Sequence, residues 1–146
     1  MINQLTLGLD PALKSWGCYV LTNIRIFEKV SGTVFTVEEV NTIFRLAKRV
    51  NFVNEEAFIN KGGISGIAAI CCGISGPDVY MRLANNQGAY THIIARWSRV
   101  IRPGEYNSHF VLMEDALVVE WDPYPNSKTV RIGAIMDYRY VIAEAI

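Results

Sequence analysis

The spacing of apolar residues in this sequence changes once, close to Pro77, and that change restricts the fold more than any other feature. Between residues 18 and 74, apolar residues recur every three or four positions, as expected of helices with one buried face. From residue 79 onwards they tend to alternate with polar residues, as expected of strands. We therefore predict an α+β fold in which N-terminal helices pack on a C-terminal antiparallel β-sheet. The length of 146 residues fits a single domain, 1–146.

Turn signals define the beginning of the chain. Residues 1–17 are predicted to be an irregular lead-in, with a short strand at 5–9 as an option. The pair Asp10-Pro11 indicates a turn, because the residue before a proline avoids helical geometry. A buried helix is then expected over residues 18–30, and Ser31-Gly32 is expected to end it.

Capping signals define the next part of the chain. Thr36 is a good N-cap, and Glu39 three positions later completes a capping box, so a second helix should begin there. A third buried helix is expected over residues 64–74. A turn is predicted at 85–88, between the first two strands. The predicted strands are 79–83, 90–100, 108–114, 117–122, 129–135 and 137–143.

Charge and hydropathy exclude several classes of partner. The 14 basic residues balance the 14 acidic ones and are not concentrated in one segment, so no nucleic-acid partner is expected. No apolar run reaches the roughly 18–20 residues that a membrane span needs, so no membrane association is expected. The first residues lack the basic and apolar regions of a signal peptide, so we expect a cytoplasmic protein. The oligomeric state is left open.

The cysteines are few and badly spaced for metal binding or disulfides. Cys71 and Cys72 are adjacent, and the chain has only two histidines, so neither zinc nor another cofactor is expected. An odd number of cysteines also argues against a disulfide framework. Cys71 and Cys72 are best explained as small buried apolar residues.

The remaining cysteine, Cys18, stands where a reactive thiol would be expected. It lies between the polar, glycine-containing segment 14–17 and the apolar start of the first predicted helix. The partial positive charge of a helix's first turn favours a thiolate over a thiol, and the thiolate is the nucleophile. Cys18 is therefore a candidate nucleophile that needs a base from elsewhere in the chain.

A predicted hairpin supplies that base. If Asp115-Ala116 forms a two-residue turn, Leu112 lies opposite Val119, and His109 lies directly opposite Asp122. The apolar residues of both strands then share one face, and His109 and Asp122 share the other. A carboxylate in that position would accept a hydrogen bond from one nitrogen of the imidazole and leave the second nitrogen for a thiol. A surface His–Asp pair without a catalytic role remains the alternative.

Three segments of the chain resemble a papain-like cysteine peptidase of the C39-like group, and also the small papain-like proteins of spirochaete plasmids and bacteriophages. Residues 16–19, Trp-Gly-Cys-Tyr, are similar to the nucleophile segment at the head of the family's central helix. Residues 108–112 are similar to its histidine strand, and residues 118–123 are similar to the strand end that carries its Asp-Pro pair. The order Cys, His, Asp and the position of the helices before the sheet are also those of the family.

The resemblance implies a papain-like fold and a thiol protease or amidase that acts on a peptide or protein substrate. By position, Cys18 would be the nucleophile, His109 the general base and Asp122 the group that orients the base. Two alternatives stay open. One is an inactive papain-like binding or structural module of a phage or mobile element. The other is a related acyl transfer, such as deamidation or isopeptide cleavage.

The resemblance also bears on the groove around the nucleophile. Trp16, Gly17 and Tyr19 flank Cys18 and are expected to contact the substrate. The aromatic residues Trp97 and Tyr106 are further candidates for the walls of the groove.

One residue of the family's pattern is absent from its usual place. The family carries a glutamine a few residues before the cysteine, where its side chain helps to bind the oxyanion. Residues 12–15 contain no glutamine, and Gln4 is the candidate nearest in sequence. The backbone N–H of Cys18 and the side chain of Lys14 are the other candidate donors.

Overall fold

The computed structural model describes residues 2–84 and 88–146. Helices occupy the N-terminal half and strands the C-terminal half, apart from one short helix before the last strand. The helices are α1 (Pro11–Trp16), α2 (Cys18–Ser31), α3 (Val37–Arg49), α4 (Gly63–Ser75) and α5 (Lys128–Ile132). The strands are β1 (Val79–Leu83), β2 (His92–Arg102), β3 (Glu105–Met113), β4 (Val119–Trp121) and β5 (Ala134–Ala145). The α+β class and the order of helices before an antiparallel sheet are confirmed.

The three long helices lie where the sequence predicts them. α2 ends at Gly32, whose φ of 76° is in the left-handed region that glycine adopts most easily. α3 begins with the predicted capping box, in which the Thr36 hydroxyl accepts from the Glu39 N–H at 3.2 Å. In return, the Glu39 carboxylate accepts from the Thr36 N–H at 3.0 Å. These caps satisfy backbone groups that the helices themselves leave unpaired.

The lead-in contains a helix that the sequence analysis missed. Asp10 is the N-cap of α1, since its carboxylate accepts from the Ala12 N–H at 2.8 Å. Pro11 occupies the first helical position, where a missing N–H carries no penalty. The residues read as a turn are therefore a helix start. Residues 5–9 contain no strand.

The sheet has the strand order β1-β5-β2-β3-β4, and all its pairs are antiparallel. β5 lies between β1 and β2, so these consecutive strands are not neighbours. The turn predicted at 85–88 falls mostly on residues 85–87, outside the described part of the chain. The two strands predicted at 129–135 and 137–143 were wrong in part, because the first is α5 and the second belongs to the single strand β5.

Apolar side chains pack on both faces of the sheet. The larger core lies between the long helices and one face, and includes Phe27, Phe44 and Leu112. A smaller cluster around Val111 and Met113 lies on the other face. None of the described helices is long and apolar enough to cross a membrane.

The hairpin of β3 and β4 differs from its prediction. The connection has three residues, 115–117, closed by a hydrogen bond from the Glu114 N–H to the Val118 carbonyl at 2.8 Å. A bulge follows, and Leu112 pairs with Trp121 rather than with Val119. The predicted two-residue turn and register were therefore wrong. Leu117, one of the apolar residues predicted to share a face of this hairpin, lies in the loop, and its side chain is exposed.

Candidate active site

The junction of α1 and α2 holds Cys18 in place. Gly17 ends one helix and caps the next, with its N–H donating to the Leu13 carbonyl at 2.9 Å. A Cβ at this position would lie 2.5 Å from the Leu13 oxygen, so only glycine allows this close approach. Cys18 is the first residue of α2 and is half-buried. The first-turn N–H groups around it have no intrahelical acceptor.

His109 and Asp122 are in contact, as predicted. His109 lies on β3 and is 7% exposed. Its Nε2 donates to Asp122 Oδ1 at 2.6 Å, a short distance for such a bond. Asp122 directly follows β4, and its carboxylate is held by the backbone N–H groups of Tyr124 at 2.9 Å and Ser127 at 3.3 Å. The carboxylate therefore has fixed partners on both oxygens.

The protonation of this pair follows from its partners. Burial alone lowers the pKa of His109, but hydrogen bonds with Asp122 and Cys18, and their charges, raise that pKa to about 9. For Asp122, burial by itself raises the pKa, but the hydrogen bond with His109 and the charge of its ring bring that pKa below its ordinary value. Near neutral pH the site therefore favours an imidazolium held by the Asp122 carboxylate.

The Cys18 side chain interacts with the same ring. It raises the pKa of His109 both through a side-chain hydrogen bond and through charge. Since Nε2 is committed to Asp122, Nδ1 is the nitrogen left for the sulfur. The structure thus brings all three predicted residues together: thiol, imidazole and carboxylate.

An aromatic contact joins the two halves of the fold beside the cysteine. The rings of Tyr19 on α2 and Phe110 on β3 have their centroids 4.4 Å apart. The guanidinium of Arg139, on β5, lies 5.7 Å from the centroid of the Phe110 ring. This stack fixes the position of α2 relative to the strand that carries His109.

A cleft of about 1390 Å³ opens at this point, and Cys18 and His109 line it. Trp16, Tyr19 and Tyr106 also line the cleft, as expected from the sequence. Gly17 does not, because it is buried against α1. Trp97 does not either, because it packs against the smaller apolar cluster. The structure therefore places neither Gly17 nor Trp97 in the wall of the cleft.

Gln4 reaches the site, although it lies far upstream in sequence. Its side chain is 5% exposed and lines the cleft together with Cys18. Its Nε2 donates to the carbonyls of Leu13 at 3.2 Å and Lys14 at 3.1 Å, while its Oε1 is buried and has no hydrogen-bond partner among the described residues. Gln4 therefore supplies a donor to the Lys14 carbonyl and a second donor to the Leu13 carbonyl, which already accepts from the Gly17 N–H, just before the nucleophile.

Sequence reasoning missed the residues that support the carboxylate. Ser127 contributes its N–H to Asp122 and also caps α5, since its hydroxyl accepts from the Val130 N–H at 3.3 Å. Ser127 is itself a signal for a helix start, because serine is a common N-cap. The β-branched residues that follow it in α5 favoured the prediction of a strand instead. Among the described residues, no group of three His, Cys, Asp or Glu side chains is placed to hold a metal ion.

No family model matches the sequence, and comparisons with curated proteins and with solved structures also return no match.

Proposed function

We propose that this protein is a papain-like cysteine hydrolase that cleaves a peptide or amide bond through a thioester on Cys18. The observation that carries the proposal is the position of the His109 ring. It donates to Asp122 at 2.6 Å from one nitrogen and interacts with Cys18 on its other side. The order of the three residues along the chain and the helix-before-sheet arrangement support the papain-like assignment.

The chemistry follows from the protonation of the site. The Cys18 thiolate attacks the substrate carbonyl carbon, and the carbonyl π electrons move to oxygen. His109 gives its proton to the leaving amine as the C–N bond breaks, which leaves a thioester and a neutral imidazole. The imidazole then takes a proton from water, whose oxygen attacks the thioester. The C–S bond breaks, and the acid product and the thiolate are released. Asp122 keeps the ring oriented and stabilises each imidazolium state.

The negative oxygen formed in these steps needs donors. The N–H of Cys18 lies at the start of α2, where backbone N–H groups and the helix dipole both favour an anion. Gln4 lines the same cleft, but its amide nitrogen already donates to two carbonyls. The backbone is therefore the main oxyanion donor in this proposal.

A covalent probe tests the proposal directly. A peptide-like electrophile, such as a chloroacetamide, should modify the tryptic peptide 15–25, which contains Cys18. The peptide 62–82, which contains both other cysteines, should stay unmodified and serves as an internal control. A Cys18→Ser variant should give no adduct, and His109→Ala should slow modification strongly. Equal rates for the wild type and His109→Ala would argue against the assignment.

One observation favours the non-enzymatic alternative. The committed amide of Gln4 leaves the site with fewer free oxyanion donors, and one such donor is commonly worth about 2.7–4 kcal/mol. A binding module with this fold would show normal folding and no adduct at Cys18 even with prolonged exposure to the probe.

A further inference from the structure

The charged residues that line the cleft are all of one sign. Half of the 14 Lys and Arg residues of the chain line it, and among the described lining residues there is no Asp or Glu, although the chain contains 14 of them. An even distribution would place acidic and basic side chains there in similar numbers. The basic residues come from distant parts of the sequence, which is why the sequence shows no cluster. They are Lys14, Lys61, Arg82, Arg96, Arg99, Lys128 and Arg139.

Very little of this charge is neutralised within the protein. Asp137 is shared by Arg96 at 2.7 Å and by Arg139 at 2.6 Å. Among the described residues, no carboxylate forms an ion pair with the other five basic side chains. Arg99 donates to the neutral hydroxyl of Thr129 at 3.2 Å, and Arg82 donates to the backbone carbonyl of Leu83 at 3.1 Å. The cleft therefore holds a strong excess of positive charge.

The basic side chains lie on several sides of the reacting groups. Arg139 lies over the ring of Phe110, which stacks on Tyr19 next to the nucleophile. Arg99 lies on β2 opposite Asn107, two residues from the pair formed by Trp97 and His109. A substrate that reaches the sulfur would therefore pass between positive charges.

We propose that the cleft binds an extended peptide segment rich in Asp and Glu. This inference names the substrate class of the proposed hydrolase and so depends on that function for its chemistry, but not for binding. The cleft is larger than the roughly 300–1,000 Å³ of a small-molecule pocket, so it accommodates several residues of an extended chain. Charge complementarity selects acidic segments and raises their rate of association. A peptide, unlike a free anion, also presents a carbonyl to the thiolate.

Binding is measured on the full-length Cys18→Ala variant, so that the readout does not need catalysis. Fluorescence anisotropy compares a labelled Glu-rich peptide with a Lys-rich peptide of equal length and with a single-stranded oligonucleotide. The oligonucleotide is included because basic clefts with exposed aromatic residues also bind single strands. The Glu-rich peptide should bind at least about tenfold more tightly than the Lys-rich one, and its affinity should fall as salt screens the charges.

A matched pair of variants locates the effect. Lys61→Glu with Lys128→Glu reverses two exposed charges in the cleft and should weaken binding of the Glu-rich peptide about tenfold. Arg45→Glu with Arg49→Glu makes the same charge change on the exposed side of α3, outside the cleft, and should have little effect.

Three results would overturn the inference: equal binding of both peptides, equal loss in both double variants, or tighter binding of the oligonucleotide than of the Glu-rich peptide. Its failure is distinct from a failure of the proposed hydrolase. An adduct at Cys18 without acidic-peptide binding removes only the substrate class. Acidic-peptide binding without an adduct removes only the catalysis.

Discussion

The Asp122→Asn substitution tests whether the carboxylate controls the charge of the catalytic base. The substitution keeps the size of the side chain and an acceptor oxygen for the Tyr124 N–H, while the amide NH2 replaces the oxygen that accepts the longer hydrogen bond from the Ser127 N–H. It removes the negative charge that lies 2.6 Å from His109. Because burial alone lowers the pKa of His109, loss of the charge should let that pKa fall towards or below its ordinary value.

The size of the effect follows from the contact that is lost. A hydrogen bond to a charged group contributes about 1.5–3 kcal/mol, and about 1.4 kcal/mol corresponds to a factor of ten. The ratio of imidazolium to neutral imidazole at His109 should therefore be about 10 to 100 times lower in the variant at a given pH, which deprives a Cys18 thiolate of its cationic partner. At alkaline pH the two proteins should converge, because thiolates then form without a cationic partner.

The assay is the rate of alkylation of Cys18 by iodoacetamide as a function of pH. Mass spectrometry of the tryptic peptide 15–25 reports this cysteine alone. Asp115→Asn is the matched control, because Asp115 lies on the same hairpin and its carboxylate accepts only from the Leu117 and Val118 N–H groups. The reasoning fails if Asp122→Asn and Asp115→Asn follow the wild-type pH profile equally well.

Three further predictions concern stability. The pKa of His109 is raised from 6.5 to about 9, so its contribution of about 3 kcal/mol to the free energy of unfolding should be complete below about pH 6.5 and lost by about pH 9. Urea denaturation should show this loss in the wild type and not in His109→Gln. Gly17→Ala places a Cβ 2.5 Å from the Leu13 carbonyl oxygen and should destabilise by about 1–3 kcal/mol, whereas Gly73→Ala, with nothing within 4 Å, should stabilise by about 0.5–1 kcal/mol. Gln4→Ala removes the side-chain donor to the Lys14 carbonyl and one of the two donors to the Leu13 carbonyl and should cost about 1–3 kcal/mol, so an unchanged thermal midpoint would contradict the role given to this residue.

The helices show what local sequence decides. The Thr36–Glu39 capping box and the glycine after Ser31 act within a few residues, so their effect could be predicted. The signal at Asp10-Pro11 is equally local, but the same residues open a turn or a helix, and the six-residue helix that follows is too short for a clear periodicity. The helix was therefore missed because it is short, although Asp10-Pro11 is a recognisable signal for its first residue.

The contact between His109 and Asp122 was predicted correctly from a wrong register. The three-residue loop adds one residue to the predicted turn, and the bulge after it adds another. Leu112 consequently pairs with Trp121, two residues beyond its predicted partner Val119. Because side chains alternate with a period of two, a shift of two returns Asp122 to the face of His109. A shift of one, without the bulge, would have separated them.

The basic cleft could not be predicted from the sequence, because its side chains come from six different parts of the fold. Arg82 on β1 and Lys128 on α5 are 46 positions apart in the numbering and have no local pattern in common. Only the tertiary structure brings such residues to one surface.

The position of β5 between β1 and β2 has a consequence for the time at which the site can form. Proteins are synthesised from the N-terminus, so α2 with its cysteine emerges early and β5 emerges after every other strand. Until then β1 has no partner in the sheet, and β2 lacks the neighbour on one of its edges. A nascent chain thus carries an unpaired thiol on a helix well before the sheet that holds its base is complete. Pairing of such sequence-distant strands is slow, so we expect completion of the sheet to be the late step in folding and the reactive pair to appear only with it.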